Sequence, residues 1–263
     1  MSKYLEFFRL SWSEVLSYRT SFVMWRFRQF LLSFMALSVW AAVYQSNSSA
    51  FGYSQAELFS YIFLTTLLQN IILTTALNGL SGFIYSGDLS NLLVKPLNIL
   101  GYLISRDVAD KLFNILFTIG ETILLWFIFK PTLIWPNIES LPLFIMSIIF
   151  GVVLTFCLQV IFGSIGFWSP DTWGPRFLFY ILVDLTSGKL FPLDVLPKAV
   201  QTILFLTPFP YFTYAQVQFA LGRFTFQEAW HAFGTLTLWM VILISFTFFL
   251  WKKGMNQYQA AGQ

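Results

Sequence analysis

Residues 141–168 read LPLFIMSIIFGVVLTFCLQVIFGSIGFW and contain no charged side chain. Because an α-helix rises 1.5 Å per residue, these residues would form a helix of about 42 Å. That length exceeds the roughly 30 Å of hydrocarbon in a bilayer. We therefore predict a transmembrane helix at this position that tilts or extends beyond the membrane.

Four more apolar stretches flank this segment, at residues 22–44, 58–80, 112–129 and 230–251. Hydrophobic residues make up 57% of the chain, and charged residues only 10%. A soluble domain of this size would leave much of that apolar surface in water, whereas a bilayer solvates it. The composition therefore indicates a membrane protein that crosses the bilayer several times.

A further apolar region, residues 177–206, is interrupted too often for one straight helix. The interrupting residues are Asp184, Gly188, Lys189, Pro192, Asp194 and Pro197. We interpret the region as a fifth span followed by a broken segment. The predicted fold is an all-α polytopic membrane protein with six transmembrane helices and a broken re-entrant segment between helices 5 and 6.

The first 20 residues predict an amphipathic helix that lies in the membrane interface. They contain Glu6, Arg9, Glu14 and Arg19 and lack the continuous apolar core of a cleavable signal. Polar residues fall on one face (Ser2, Glu6, Arg9, Ser13 and Ser17), and apolar residues fall on the other (Leu5, Phe8, Trp12, Val15 and Leu16). We expect a six-helix transmembrane domain at 21–255 and a short cytoplasmic tail at 256–263.

The basic residues predict the orientation, because Lys and Arg beside membrane helices are retained on the cytoplasmic side. With six spans and the amino terminus inside, only four of the 15 Lys and Arg residues lie outside: Lys130, Lys189, Lys198 and Arg223. This bias favours a multi-pass protein of the cytoplasmic (inner) membrane with both termini in the cytoplasm. The basic residues do not cluster on one soluble face, so no nucleic-acid partner is expected. Arg26 and Arg28 lie inside the first apolar stretch, where long side chains either snorkel to the headgroups or face the bundle interior, and of the two we expect snorkelling.

The residues that usually carry catalysis or bind metals are scarce. The chain has one cysteine, Cys157, and one histidine, His231, so neither a metal site nor a nucleophile with its base can be assembled. Gly188-Lys189 is followed by Leu190, which does not match a phosphate-binding loop. We predict no catalytic residue, no metal and no cofactor.

Polar side chains fall inside the predicted hydrocarbon region. Insertion scales place a central carboxylate at roughly +2.5 to +3.5 kcal/mol, so such a group is expected to face a partner or a cavity. The candidates are Glu121 in the third span, Asp184 in the fifth, and Gln69 and Asn70 in the second. Either a place on a transport pathway or hydrogen bonding between helices would explain polar residues at these positions.

The longest predicted cytoplasmic loop, residues 81–111, contains GDLSNLLVKPLN at 87–98. We expect Asp88 to cap a short helix that Pro96 ends, with Leu89, Leu92 and Leu93 on one face. These leucines would form an apolar knob that rests on the membrane or docks a protein partner.

On the other side, glycine and prolines break the chain between the fifth and sixth spans. Irregular backbone at membrane depth survives only where protein buries it or water lines it. A re-entrant hairpin near the outer leaflet meets that condition, and its marker residues are Gly188, Pro192, Asp194, Pro197, Pro208 and Pro210.

With these two motifs the chain resembles the permease subunits of type 2 ABC transporters, in particular a branch of six-span bacterial permeases. The inner motif is Gly-Asp-Leu at 87–89 with Leu92-Leu93 and Lys95-Pro96-Leu97, and the outer motif is Phe191-Pro192-Leu193-Asp194 with Pro197 and then Pro208-Phe209. The resemblance implies half of a translocation pathway, a second permease that is identical or homologous, and a separate subunit that binds the ATP. It also implies that a coupling segment fits that subunit, namely Gly87, Asp88, Leu89, Leu92, Leu93, Lys95 and Pro96. Export is the usual direction for this class.

Two other classes of function remain open on the residues alone. One is an ion-coupled secondary carrier that uses the intramembrane carboxylates Glu121 and Asp184. Its expected inverted repeat is missing, because only the fifth region is broken. The other is a membrane scaffold that recruits a partner through the 81–111 loop without transporting anything.

Overall fold

The computed structural model describes residues 2–17, 19–46, 49–50, 52–136, 138–169 and 171–258. Apart from a hairpin of β1 (Ser49–Ala50) and β2 (Tyr53–Ser54), the regular structure of these residues is helical. The α-helices in chain order are α1 Ser2–Ser17, α2 Arg19–Ser46, α3 Gln55–Leu68, α4 Leu80–Tyr85, α5 Ser90–Leu93, α6 Ile99–Phe129, α7 Leu141–Ser164, α8 Trp173–Thr186, α9 Lys198–Phe205, α10 Tyr214–Leu221 and α11 Phe226–Gln257.

Within the described ranges, five helical stretches are long and apolar enough to cross a membrane. They are Arg19–Gln45, Gln55–Leu73, Ile99–Phe129, Leu141–Phe167 and Phe226–Gln257. The prediction of an all-α, multi-pass membrane protein is thereby confirmed. The third stretch begins well before the predicted residue 112, because polar residues between Ile99 and Lys111 continue the helix outside the apolar window.

The second predicted span, residues 58–80, is shorter than expected. After α3 the chain forms one π-helical turn, Gln69–Leu73, and then Thr74 and Thr75 take extended conformations before a 3₁₀ turn at Ala76–Gly79. The freed carbonyls are satisfied, since Lys111 Nζ donates to the carbonyl of Ile72 at 3.1 Å and to that of Thr74. A buried cation from α6 therefore stabilises the interruption.

The predicted fifth span corresponds to α8, which has 14 residues. At 1.5 Å per residue it measures about 21 Å, which is short of the hydrocarbon thickness. Beyond it the chain runs through irregular structure to α9, a 3₁₀ turn at Phe209–Phe212, and α10. The region is thus broken, as its glycine and prolines indicate, and α8 by itself does not meet the length of a span.

Apolar side chains form two clusters. The larger one lies among α3, α7, α10 and α11 and includes Leu58, Leu154, Phe212 and Leu236. The smaller one joins α4, α5, the last turns of α7 and the end of α11; its buried members include Leu80, Ile84, Leu89, Leu92, Val160 and Trp251. We call the end of the bundle that holds α1, α5 and the last turn of α11 the terminal end.

The predicted amphipathic helix is present as α1, which packs on α6. Trp12 Nε1 donates to the carbonyl of Ala109 at 3.0 Å, and the Trp12 ring meets Phe113 edge-on with centroids 5.2 Å apart. Leu16 is 60% exposed, so the helix keeps apolar surface for lipid. The side chains of Leu5 and Val15, placed on the apolar face by the sequence, lie outside the described residues.

Candidate functional site

A cavity of about 970 Å³ lies between α2, α3, α6 and α8. Its α2 wall carries apolar side chains, namely Phe22, Trp25, Leu32 and Ala36, interspersed with Arg28, Gln29 and Ser33. The facing walls are mainly polar or charged, with residues that include Gln69, Asn70, Asn78, Asp110, Asn114, Glu121, Arg176, Tyr180, Asp184 and Lys189. A cavity that combines apolar side chains with many hydrogen-bonding groups suits an amphipathic molecule.

All four of the predicted intramembrane polar residues line this cavity: Gln69, Asn70, Glu121 and Asp184. The structure therefore brings together side chains that lie on three different helical segments. Asp184 Oδ1 accepts from Lys189 Nζ at 2.9 Å, and both side chains are partly exposed. Glu121 also has a basic partner.

That partner is Arg26, which the sequence predicted to snorkel. The prediction is wrong: Arg26 is only 4% exposed and faces the interior of the bundle. Its Nε lies 2.8 Å from Glu121 Oε1 and its Nη2 lies 2.5 Å from Glu121 Oε2. The remaining donors reach Asn70 Oδ1 and Thr118 Oγ1, each at 2.9 Å. One guanidinium thus links α2, the π-helical turn after α3, and α6, and these bonds compensate for placing its charge in an apolar surrounding.

Among the cavity residues that were not selected from the sequence, three form one hydrogen-bonded group, namely Asn78, Arg176 and Tyr180. Arg176 Nη1 donates to the backbone carbonyl of Asn78 and, at 3.3 Å, to its side-chain oxygen. The Tyr180 hydroxyl donates to the same Asn78 side-chain oxygen at 3.1 Å. A signal existed in the spacing, because Arg176, Tyr180 and Asp184 recur every four residues and so share one face of α8.

The segment predicted to form the apolar knob has a different geometry. Gly87 takes a φ of +86°, and the amides of Ser90 and Asn91 donate to the carbonyls of Gly87 and Asp88. The amides that Asp88 would cap are thus bonded to backbone, and this carboxylate instead accepts from Ser86 Oγ at 2.6 Å. The predicted cap is therefore wrong. Pro96 does follow the end of α5, as expected.

The three leucines of this segment do not share an exposed face. Leu89 and Leu92 are buried in the smaller apolar cluster, whereas Leu93 is 42% exposed and its neighbour Val94 is 84% exposed. The exposed apolar surface thus consists of Leu93 and Val94, next to the exposed Lys95. We call these three residues the α5 tip. Leu89 and Leu92 anchor the tip in the bundle.

The family model described as ABC-2 family transporter protein matches residues 30–262 of this chain. The chain belongs to the ABC-2 transporter family. Members of this family are membrane components of ABC transporters; they are not themselves catalytic enzymes, and they generally work with a separate ATP-binding subunit. No curated protein sequence matches the chain.

In this ABC-2 permease, a second polar cluster lies at the end of the bundle opposite the terminal end. The Tyr53 hydroxyl donates to Asp194 Oδ2 at 2.9 Å and accepts from Gln218 Nε2 at 2.8 Å. Burial and the nearby Asp194 carboxylate raise the pKa of Tyr53 above its ordinary value, which keeps the phenol protonated as a donor. Arg223 lies 3.8 Å from the centre of the Tyr53 ring and pairs with Glu57 at 3.0 Å. The hairpin, the broken segment and the start of α3 are thus joined.

The irregular backbone of the permease after α8 is satisfied by its own neighbours. The carbonyl of Ser187 accepts from Thr213 Oγ1 at 2.6 Å and from the Tyr214 amide at 2.8 Å. The carbonyl of Gly188 accepts from the Tyr61 hydroxyl. Gly188 has a φ of +80°, where a β-carbon would be strained. These contacts meet the requirement that irregular backbone at membrane depth be buried by protein.

The prolines of the predicted re-entrant segment begin its short helices. Pro192 precedes the 3₁₀ turn Leu193–Val195, and Pro197 precedes α9. Pro208 precedes the 3₁₀ turn Phe209–Phe212, and Pro210 lies inside it. Because a proline lacks the amide hydrogen, the first turn of a helix tolerates it. The prolines thus explain where these short helices start.

Proposed function

We propose that this chain forms half of the translocation pathway of an ABC exporter, with a second permease, identical or homologous, forming the other half. A separate ATP-binding subunit docks on residues 87–96 and supplies the energy. The observation that carries the proposal is the position of the α5 tip, which is exposed on one side and anchored in the smaller apolar cluster on the other.

The anchoring explains how force would pass from the docked subunit to the bundle. Leu89 and Leu92 lie in one cluster with residues of α4, α7 and α11. Protein interiors are close-packed and transmit displacement, so a push on the tip reaches three helices at once. A loop that merely rested on the membrane would not need this packing.

The exposed surfaces of α2 and α8 support pairing with a second permease. Both helices line the cavity, and both expose large apolar side chains, among them Met24 and Phe27 on α2 and Trp173 and Phe177 on α8. The Trp173 and Phe177 rings stack with centroids 4.9 Å apart, which gives a flat apolar surface. A second permease that covers these faces would close the cavity into a pathway.

The path of the chain supports six crossings. Trp168 bonds Gln257 at the terminal end, with Nε1 2.6 Å from Oε1, whereas Asp194 joins the cluster at the opposite end. The chain therefore passes from one end of the bundle to the other between these residues, and we propose that α8 together with residues 187–193 makes the fifth crossing. With the terminal end in the cytoplasm, both termini are inside, which agrees with the distribution of Lys and Arg.

The alternative of an ion-coupled carrier depends on Glu121 and Asp184. Each of these carboxylates has a basic partner, Arg26 for the first and Lys189 for the second. A carrier carboxylate has to bind and release its ion during transport, whereas in this structure each of the two is held in an ion pair. The pairing therefore favours the ABC permease over the carrier.

Copurification tests the proposed function. Tagged protein extracted from the membrane of its native host should bring down an ATP-binding subunit and a permease, and residues 85–97 should be labelled only from the cytoplasmic side. Reconstituted vesicles with the ATP-binding subunits facing outward should then accumulate the transported compound in their lumen. Protein that purifies alone and moves solute with a proton gradient would contradict the proposal.

A further inference from the structure

Arg176 is a buried cation whose hydrogen bonds are incomplete. It is 9% exposed, and its Nη1 is held by the carbonyl and side-chain oxygens of Asn78. Its Nε and Nη2 are buried and have no hydrogen-bond partner. Within the described part of the chain, no carboxylate forms an ion pair with it. Burying a charge without a partner costs free energy, so the unbound edge of this guanidinium, formed by Nε and Nη2, needs an explanation.

The same chain contains a guanidinium whose equivalent edge is occupied. In Arg26, Nε and Nη2 together hold the two carboxylate oxygens of Glu121. This two-point geometry is the strong mode by which arginine binds carboxylates and phosphates. The free edge of Arg176 presents the same two donors, so it fits an anionic group with two oxygens.

The surroundings of Arg176 match an amphipathic ligand. Asn78 and Tyr180 extend the polar end of the cavity beside it, and the apolar Phe22 and Trp25 belong to the α2 wall. Among the acidic residues of the lining, Glu121 and Asp184 are already paired with basic residues. The third, Asp110, has no ion pair among the described residues, since its neighbour Lys111 pairs with Asp107.

We propose that the cavity takes an anionic amphiphile whose carboxylate or phosphate binds the Nε–Nη2 edge of Arg176 and whose apolar part lies along α2. This inference rests on the proposed function, because it names the class of compound that the pathway carries. In the conformation described, both nitrogens are shut off from solvent. The ligand therefore reaches them when α8 separates from the 3₁₀ turn Ala76–Gly79.

Binding to the full chain in nanodiscs of phosphatidylcholine tests the proposal. The probes are dodecyl phosphate, dodecanoate and, as the cationic control, dodecyltrimethylammonium, and the readout is the rise in unfolding temperature with probe concentration. We expect Arg176→Gln to weaken binding of both anions at least tenfold and to leave the cation unchanged. Arg176→Lys keeps the charge but loses the two-point geometry, so its loss should be intermediate.

The matched control is Arg223→Gln, which removes an arginine at the opposite end of the bundle that does not line the cavity. It should bind the anions as the wild type does. Equal anion binding by wild type and Arg176→Gln would overturn the proposal, as would an equal loss in Arg223→Gln. If Arg176→Gln does not fold, the anion affinity of Arg176→Lys is the test. Wild-type affinity for the anions in the lysine variant would overturn the two-point contact.

A further experiment distinguishes two sources of the anionic group, a bilayer lipid and a soluble anion. Replacing part of the phosphatidylcholine by phosphatidic acid should weaken dodecyl phosphate binding in the wild type if a lipid headgroup uses Arg176. Unchanged binding supports a soluble anion at the same site. None of these binding measurements needs the ATP-binding subunit. A failure of copurification, which would contradict the proposed function, can therefore be distinguished from a failure of Arg176-dependent binding, which would contradict the anion site.

Discussion

The guanidinium of Arg26 lies alongside the carboxylate of Glu121, with one nitrogen 2.8 Å from Oε1 and another 2.5 Å from Oε2. The pair joins the first predicted span to the third, and Asn70 adds the second. An ion pair at membrane depth is costly unless both partners are hydrogen-bonded, and here Arg26 also donates to Asn70 and Thr118. Glu121, which could be interpreted as a transport residue or a packing residue, has a structural partner as well as a place on the cavity.

Removing Arg26 should destabilise the protein strongly. In Arg26→Gln the Glu121 carboxylate loses its counterion, and breaking a buried pair from one side costs about 3 to 5 kcal/mol. The measurement is the free energy of unfolding in nanodiscs. The control, Arg28→Gln, changes an exposed arginine of the same helix and should lie within about 0.5 kcal/mol of wild type. The double variant Arg26→Met with Glu121→Leu should regain most of the lost stability. Equal stability of Arg26→Gln and Arg28→Gln would contradict the role assigned to Arg26.

Gly188 should not tolerate a side chain. A β-carbon there would stand 2.7 Å from the Tyr61 hydroxyl oxygen and 2.6 Å from Tyr214 Cβ, at a φ of +80°. Left-handed backbone and overpacking together should lower the stability of Gly188→Ala by about 2 to 4 kcal/mol. The control is Gly174 in α8, which has open space around it. Gly174→Ala should leave the free energy of unfolding in nanodiscs unchanged or raise it slightly.

The Tyr53 hydroxyl should hold the broken segment in place. Tyr53→Phe leaves Asp194 and Gln218 without this partner, at a cost of about 1 to 3 kcal/mol. Amide hydrogen exchange over residues 190–197 should therefore speed up. Tyr85→Phe removes a hydroxyl from α4 at the terminal end and should not change that exchange. Identical exchange in the two variants would show that the hydroxyl does not hold the segment.

The α5 tip should couple ATP hydrolysis to transport. Leu93→Asp combined with Val94→Asp places charge on its exposed apolar surface and should reduce copurification of the ATP-binding subunit at least tenfold, with normal insertion. Asn91→Asp, also exposed, adds charge to the same helix without removing apolar surface and should copurify as the wild type does. Leu92→Asp would instead place a charge in the smaller apolar cluster, so it tests folding and cannot report on docking.

Sequence patterns correctly predicted those features of the fold that depend on a single segment of the chain. The apolar windows that predict α2, α6, α7 and α11 follow from the length of hydrocarbon that a helix must cross. The polar residues Gln69, Asn70, Glu121 and Asp184 were selected because polarity inside such a window is costly, and all of them line the cavity.

The errors concern properties that depend on distant residues. Snorkelling of Arg26 was inferred from its own helix, but its partners lie 44 to 95 positions away in the chain. The cap by Asp88 follows from residue type alone, whereas the amides of Ser90 and Asn91 already donate to backbone carbonyls. Arg176 was used only for orientation, since it directly precedes the apolar region that begins at residue 177 and so resembled a flanking residue.

The interruption after Leu73 has a mechanical consequence. Thr74 and Thr75 are extended residues between two helical pieces, and Lys111 holds the carbonyl of Ile72 before the gap and that of Thr74 within it. The joint divides the second crossing into an upper piece, α3 with the π-helical turn, and a lower piece, the 3₁₀ turn Ala76–Gly79, which continues through α4 into the α5 tip. If the ATP-binding subunit docks on the tip as proposed, its torque would swing the lower piece about Thr74 and Thr75, and this hinge lies on the cavity wall, since both threonines line it.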